Sequence, residues 1–139
     1  MSTSKELLFQ NLAGTASIYH HSSKHCLEIA LQGTIKESDY KEAFTRLTQE
    51  LAQSQCCQVI FNNLDLQRET IMERAWFLAK FLPMAYKCVA SDYYKAAVVA
   101  PPNPIQKMAT QVVIKSAKAV GKPVDIQFFD EHAQALEWM

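Results

Sequence analysis

The chain has 139 residues, of which 49% are hydrophobic and 20% charged, and fourteen basic side chains balance fourteen acidic ones. That length fits one domain spanning residues 1–139, able to bury roughly two-thirds of its unfolded surface, so neither disorder nor a disulfide or metal staple is expected. With no net charge there is no global field to draw the chain to nucleic acid or an acidic membrane, and only a local patch can do so.

The opening residues Met1 to Glu6 hold no apolar run like a signal-peptide core. The uncharged apolar stretch Ala96 to Gln106 is interrupted by Pro101, Pro102 and Pro104, so no membrane span is expected. Four scattered cysteines, Cys26, Cys56, Cys57 and Cys88, lack the framework of a secreted disulfide domain. The expected location is cytoplasmic.

Thr15 to His20 and His25 to Leu31 read as two strands of a hairpin, joined by the polar turn His21 to Lys24. In the second, Leu27, Ile29 and Leu31 alternate with Cys26, Glu28 and Ala30, the period of a half-buried strand. After Gly33 the period changes: Tyr40, Ala43, Phe44, Leu47 and Leu51 form one face of an amphipathic helix, with Thr34 and Ser38 as rival N-caps. Cys57 to Phe61 is a short strand ending at Asn62-Asn63, and Leu64 to Glu69 reads as a loop. A second helix follows, opened by Thr70 and Glu73 at capping-box spacing. Ala96 to Ala100 reads as a strand covered on both faces. A third helix, Ile105 to Val120, is stopped by Gly121 and Pro123. Val124 to Phe129 is a last strand, and Asp130 is placed to cap a terminal helix through Trp138. This order predicts an α/β fold with a single mixed β-sheet of about five strands, an N-terminal antiparallel hairpin followed by parallel crossovers, and about four helices.

With that order in place, the sequence resembles the SpoIIAA-like family of small bacterial STAS-type domains. The resemblance is carried by Gly33-Thr34-Ile35 with Asp39-Tyr40, by Trp76, by Ala97-Val98-Val99, and by Phe128-Phe129-Asp130 with Ala135 to Met139. It runs from about Ile18 to the last residue. It implies a central sheet with surrounding helices, akin to anti-sigma-factor antagonists and CRAL-TRIO lipid-binding domains, and a non-enzymatic regulatory or ligand-binding role without catalytic residues. True antagonists of this type are phosphorylated on a Ser within an Asp-Ser-Ser/Thr-x-Gly pattern. The comparable stretch here, Gln67 to Met72, lacks the Asp-Ser pair and the glycine. Thr70 is the position such a phosphate would take, and its spacing reads first as an N-cap hydroxyl.

On a helical wheel of about 100° per residue, Ile71, Ala75, Leu78, Ala79, Leu82 and Tyr86 make one broad apolar face, the expected core side. Phe77, Phe81 and Met84 make a second stripe on the other side, expected either to fold under a neighbouring loop or the third helix or to contact a partner, a lipid or a ligand. Pro83 is placed to kink this helix. Lys107, Lys115 and Lys118 share one face of the third helix, opposite Met108, Val112 and Ala119, and five lysines with no acid lie between Tyr93 and Val124. This lysine face is expected to be solvated, with an anionic membrane surface as the alternative. His20, His21, His25 and Cys26 gather at the hairpin turn, where His20 would face His25, but no carboxylate or second cysteine lies at motif spacing, so no metal site is expected. No glycine loop for phosphates and no catalytic motif is present, and no cofactor is expected.

The expected function is therefore that of a non-enzymatic interaction module, self-associating as a homodimer through the helix over residues 70–86 or binding another protein. The alternative is a peripheral-membrane or apolar small-molecule binding domain with that helix as a lid.

Overall fold

The computed structural model describes residues 5–88, 94–119 and 124–139. One sheet holds six strands in the order β1-β2-β3-β4-β5-β6. These are β1 (Lys5–Gln10), β2 (Ala16–His21), β3 (Cys26–Thr34), β4 (Gln58–Arg68), β5 (Tyr94–Val99) and β6 (Val124–Phe129). The pairs β1–β2 and β2–β3 are antiparallel, and β3–β4, β4–β5 and β5–β6 are parallel. Helix α1 (Glu37–Ser54) joins β3 to β4. Between β4 and β5 lie α2 (Ile71–Trp76), a π-helical turn (Phe77–Phe81) and α3 (Leu82–Cys88), which run on as one helical stretch. Helix α4 (Pro104–Ala119) precedes β6, and α5 (His132–Trp138) follows it.

The mixed α/β sheet is the expected one, with one strand more. Strand β1 escaped the sequence reading because its side chains are mostly exposed and a register shift between Leu7 and Phe9 breaks the alternation. The hairpin forms nearly as expected, His25 turning through a positive φ of 52°.

Each parallel crossover advances one strand in the same direction, and the right-handed rule then puts every connecting helix on the same face. A single core records this. It joins Tyr40, Phe44 and Leu47 of α1, Phe81 of the π turn and Ala85 of α3 to Ile18, Ile29, Val59, Phe61 and Val98 of the sheet. The opposite face is covered at one end by α5, where Ala135, Leu136 and Trp138 pack on Cys26, Ile60, Ala97 and Val99.

Several local expectations change. Gly33 does not end β3; with φ of 67° it sits at a register shift, and the strand continues through Thr34. Because β3 runs on, β4 has a partner beyond Asn63, and the expected loop Leu64 to Glu69 is strand as far as Arg68. Neither Thr34 nor Ser38 caps α1: the N-cap is Lys36, with no side-chain bond. Asp130 does not cap α5 either; its carboxylate takes Lys107 Nζ at 2.8 Å, and Glu131 holds the cap position. The expected stop of α4 at Gly121 and Pro123 lies outside the described residues. No helix among the described residues is long and apolar enough to cross a membrane.

Candidate functional site

The stretch 71–88 is turned around relative to the single-wheel expectation. Phe81 is fully buried, and Phe77 is half-buried against the core. Phe77 lies edge-on to Phe44 and Phe61 with centroids at 5.4 and 5.7 Å, and stacks on Phe81 at 4.9 Å. Ile71, Ala75 and Ala79, expected inside, are exposed. Burying two phenyl rings gains more than burying two methyl groups. The π turn then inserts the equivalent of one residue, with Leu82 N–H bonded to Phe77 O, and rotates the next helical turns. Beyond it Leu82 is buried and Tyr86 half-buried, on the face the wheel predicted, and Met84 is half-buried. Pro83 comes directly after the widened turn. Its ring would press on the carbonyl four residues back in a regular α-helix, and the wider turn relieves that contact.

Between this helical stretch, α4 and the sheet lies a mostly apolar cavity of about 50 Å³. Phe44, Phe61 and Phe77 line one part, and Ala96, Val98 and Ile126 of the sheet another, with Ile114 reaching in from α4. Tyr86 and Tyr94 also line it, their rings T-shaped at 6.2 Å, and neither hydroxyl has a hydrogen-bond partner among the described residues. Burial pushes both phenols above their ordinary range. A polar corner completes the wall. Tyr40 Oη donates to Glu69 Oε2 at 2.7 Å, and Arg74 Nη1 donates to the Glu69 carbonyl at 2.8 Å. Burial raises the Glu69 carboxyl against the opposing pull of Tyr40 and Arg74, and burial with the nearby carboxylate raises Tyr40.

Thr70 forms the N-cap of α2. Its hydroxyl accepts from Glu73 N at 3.1 Å, and Glu73 Oε1 accepts from Thr70 N at 2.8 Å, the full capping box. Of the lysines expected on one face of α4, Lys107 is half-buried and engaged with Asp130, and Lys115 is exposed. Lys118 lies in α4, its side chain outside the described residues. Met108 and Val112, placed by the sequence opposite the lysine face, are exposed by 67% and 62%, making an apolar stripe with Ile105.

The other sheet face holds a cluster that sequence spacing did not reveal. His20 pairs with Leu27, not His25, while His21 and Glu28 turn to the face that α5 covers. His21 Nε2 lies 2.7 Å and His132 Nε2 2.9 Å from the same Glu28 Oε1. Asn62 Nδ2 donates to Glu28 Oε2 at 3.0 Å, its amide orientation fixed by Leu64 N bonding to Asn62 Oδ1. His21 and Glu28 are almost wholly buried, and His132 is 29% exposed. Burial alone would raise the Glu28 carboxyl, but hydrogen bonds from His132, His21 and Asn62 outweigh it and hold the group well below the usual carboxylate range. A polar cavity of about 210 Å³ adjoins this cluster, lined by Ser17, Tyr19, Gln32, Asn62 and Asp65 among others. All four cysteines are free, and burial, with Glu28 second, pushes the Cys26 thiol up to about 12.

Among curated proteins and among solved structures, no significant match was found. A family model does match, the one described as SpoIIAA-like, over residues 26–139. That span covers β3 to α5, which includes both cavities and the carboxylate–histidine cluster apart from the β1 and β2 residues. The chain belongs to the SpoIIAA-like family.

Proposed function

We propose that the domain is a non-enzymatic binding module for an apolar small molecule with a polar head, held between the sheet and residues 71–88. The observation that supports this reading is a cavity with apolar walls that include two tyrosines, whose buried hydroxyls have no hydrogen-bond partner among the described residues. A buried hydroxyl left unpaired costs about 1–3 kcal/mol, and a ligand atom that accepts hydrogen bonds would recover it. The present space of about 50 Å³ is far below the roughly 300–1,000 Å³ of typical ligand sites. Entry therefore requires residues 71–88 to swing outward as a lid, and the π turn followed by Pro83 is where their hydrogen-bond ladder is irregular.

The outer surface of the same two helices supports this reading. Ile71 and Met72 on α2 and Ile105, Met108 and Val112 on α4 are large apolar side chains exposed by 62% or more. Lys115 is exposed on the same helix, where an anionic apolar interface would attract it by about 1 kcal/mol. Self-association through residues 70–86, expected on the strength of Phe77, Phe81 and Met84, would instead have to use Ile71 and Met72.

Titration with a fluorescent long-chain fatty acid tests the proposal. One saturable site is expected, and Ala96→Leu, which fills the cavity from β5, should abolish it while the far-ultraviolet circular dichroism stays unchanged. Tyr94→Phe should stabilise the ligand-free protein by about 1–3 kcal/mol, since it removes an unpaired buried hydroxyl, and should weaken the probe. Non-saturable binding, or full binding by Ala96→Leu, would overturn the reading. Light scattering at micromolar concentration that showed a dimer dissolved by Ile71→Asp would assign the outer face to a second copy.

A further inference from the structure

We propose that His21, Glu28 and His132 bind one divalent transition-metal ion of the zinc class, at the seam between the β2–β3 hairpin and α5. The site lies on the sheet face opposite the apolar cavity and does not depend on the reading given for that cavity.

The fold brings the three groups together from distant parts of the chain. The antiparallel register sets His21 opposite Cys26, so that its side chain shares a face with Glu28 two residues further along β3. Helix α5 covers this face, and its first residue, His132, completes the set from 104 positions away. The three donor atoms all lie within 4.8 Å of one another. Zinc bonds of about 2.0–2.2 Å to imidazole nitrogen and carboxylate oxygen span such a triangle after small side-chain rotations.

The donor chemistry is also suitable. Two imidazoles and one carboxylate make the ligand set of open zinc sites, three protein donors with a further position left for water. As arranged, two Nε2–H groups converge on one carboxylate oxygen. A single dication seated between the three donor atoms takes the place of both Nε2 protons, each neutral imidazole then carrying its proton on Nδ1, and meets the anionic carboxylate oxygen. Asn62 binds the other carboxylate oxygen, and its own orientation is fixed by the Leu64 backbone, the kind of supporting bond that holds a metal ligand in place. Asn62 also lines the adjoining polar cavity, which supplies room for water beside the ion. Bound there, the ion would tie α5 to the sheet.

The test uses the full chain, stripped with a chelator and titrated with zinc and then with cobalt. One equivalent is expected to bind, with a rise in Tm for zinc and ligand-field bands for cobalt that lack the thiolate charge-transfer absorption of a cysteine site. His132→Ala and Glu28→Gln should each weaken zinc by more than about a hundredfold, beyond what loss of a merely supporting partner costs. Should either variant misfold, the cobalt spectrum of the unaltered protein decides by itself. No stoichiometric uptake, a thiolate spectrum, or unchanged affinity in folded His132→Ala would overturn the proposal and leave the cluster as a hydrogen-bonded clasp.

Discussion

Phe81 has no exposed surface and meets Phe44, Phe61 and Phe77 with centroids at 4.9, 6.0 and 4.9 Å. Phe81→Ala is expected to cost about 3–5 kcal/mol in urea unfolding, whereas Lys80→Ala beside it should change stability by less than about 0.5 kcal/mol. An equal effect of the two would mean that the ring is not in the core. Glu69 carries a pH dependence. A carboxyl raised by burial holds its proton more tightly in the folded chain than in the unfolded one. Stability is then full below the unfolded value of about 4.3 and is lost as pH rises through the folded one. Glu69→Gln removes that loss, and its neutral oxygen still accepts from Tyr40. Unfolding curves should show the advantage of the variant over the parent growing between about pH 4 and pH 7; an advantage that shrank would mean that the site favours the carboxylate. At this scale Glu28 was illegible: within β3 it reads as one more outward residue of a half-buried strand. Its partners are seven, 34 and 104 positions away, and no local spacing announces the last two.

Among the elements, α1 was plain in the sequence because one period governs its length, and Tyr40, Ala43, Phe44, Leu47 and Leu51 are all buried as read. Residues 71–88 were not, because two helical phases meet at the π turn and a single wheel averages them. The large rings decide the first phase, and Leu82 and Ala85 the second. The capping box at Thr70, by contrast, is a local pattern and was read correctly. Pro83 governs how firmly the two phases are joined. Pro83→Ala restores a backbone N–H to an exposed position, and amide exchange across residues 77–84 should slow, as should release of a bound apolar probe. Faster exchange in that variant would show that the proline braces the turn.

For the whole molecule, the alternation of strands and helices carried the class, and the right-handed rule carried the placement of three connecting helices on one face. What no periodicity conveys is how unequally the two faces are covered. One bears α1, the stretch 71–88 and α4; among the described residues the other has only the seven of α5, with polar side chains on the rest. The apolar cavity belongs to the thick side and the carboxylate–histidine cluster to the thin one, so the two can be perturbed separately. Ala96→Leu should leave zinc uptake intact, and His132→Ala should leave fatty-acid titration intact.

The strand order repeats the order of the chain from β1 to β6. No later strand has to be inserted between two that are already paired, so the sheet can grow at one advancing edge. During synthesis each segment leaving the ribosome finds its neighbour in place, and the longest loop to be closed is a single helical crossover. The exposed margin at any moment is one strand wide, and after β3, β4 and β5 the next helix to emerge folds over the core side of the sheet, shielding the growing hydrophobic surface from other nascent chains.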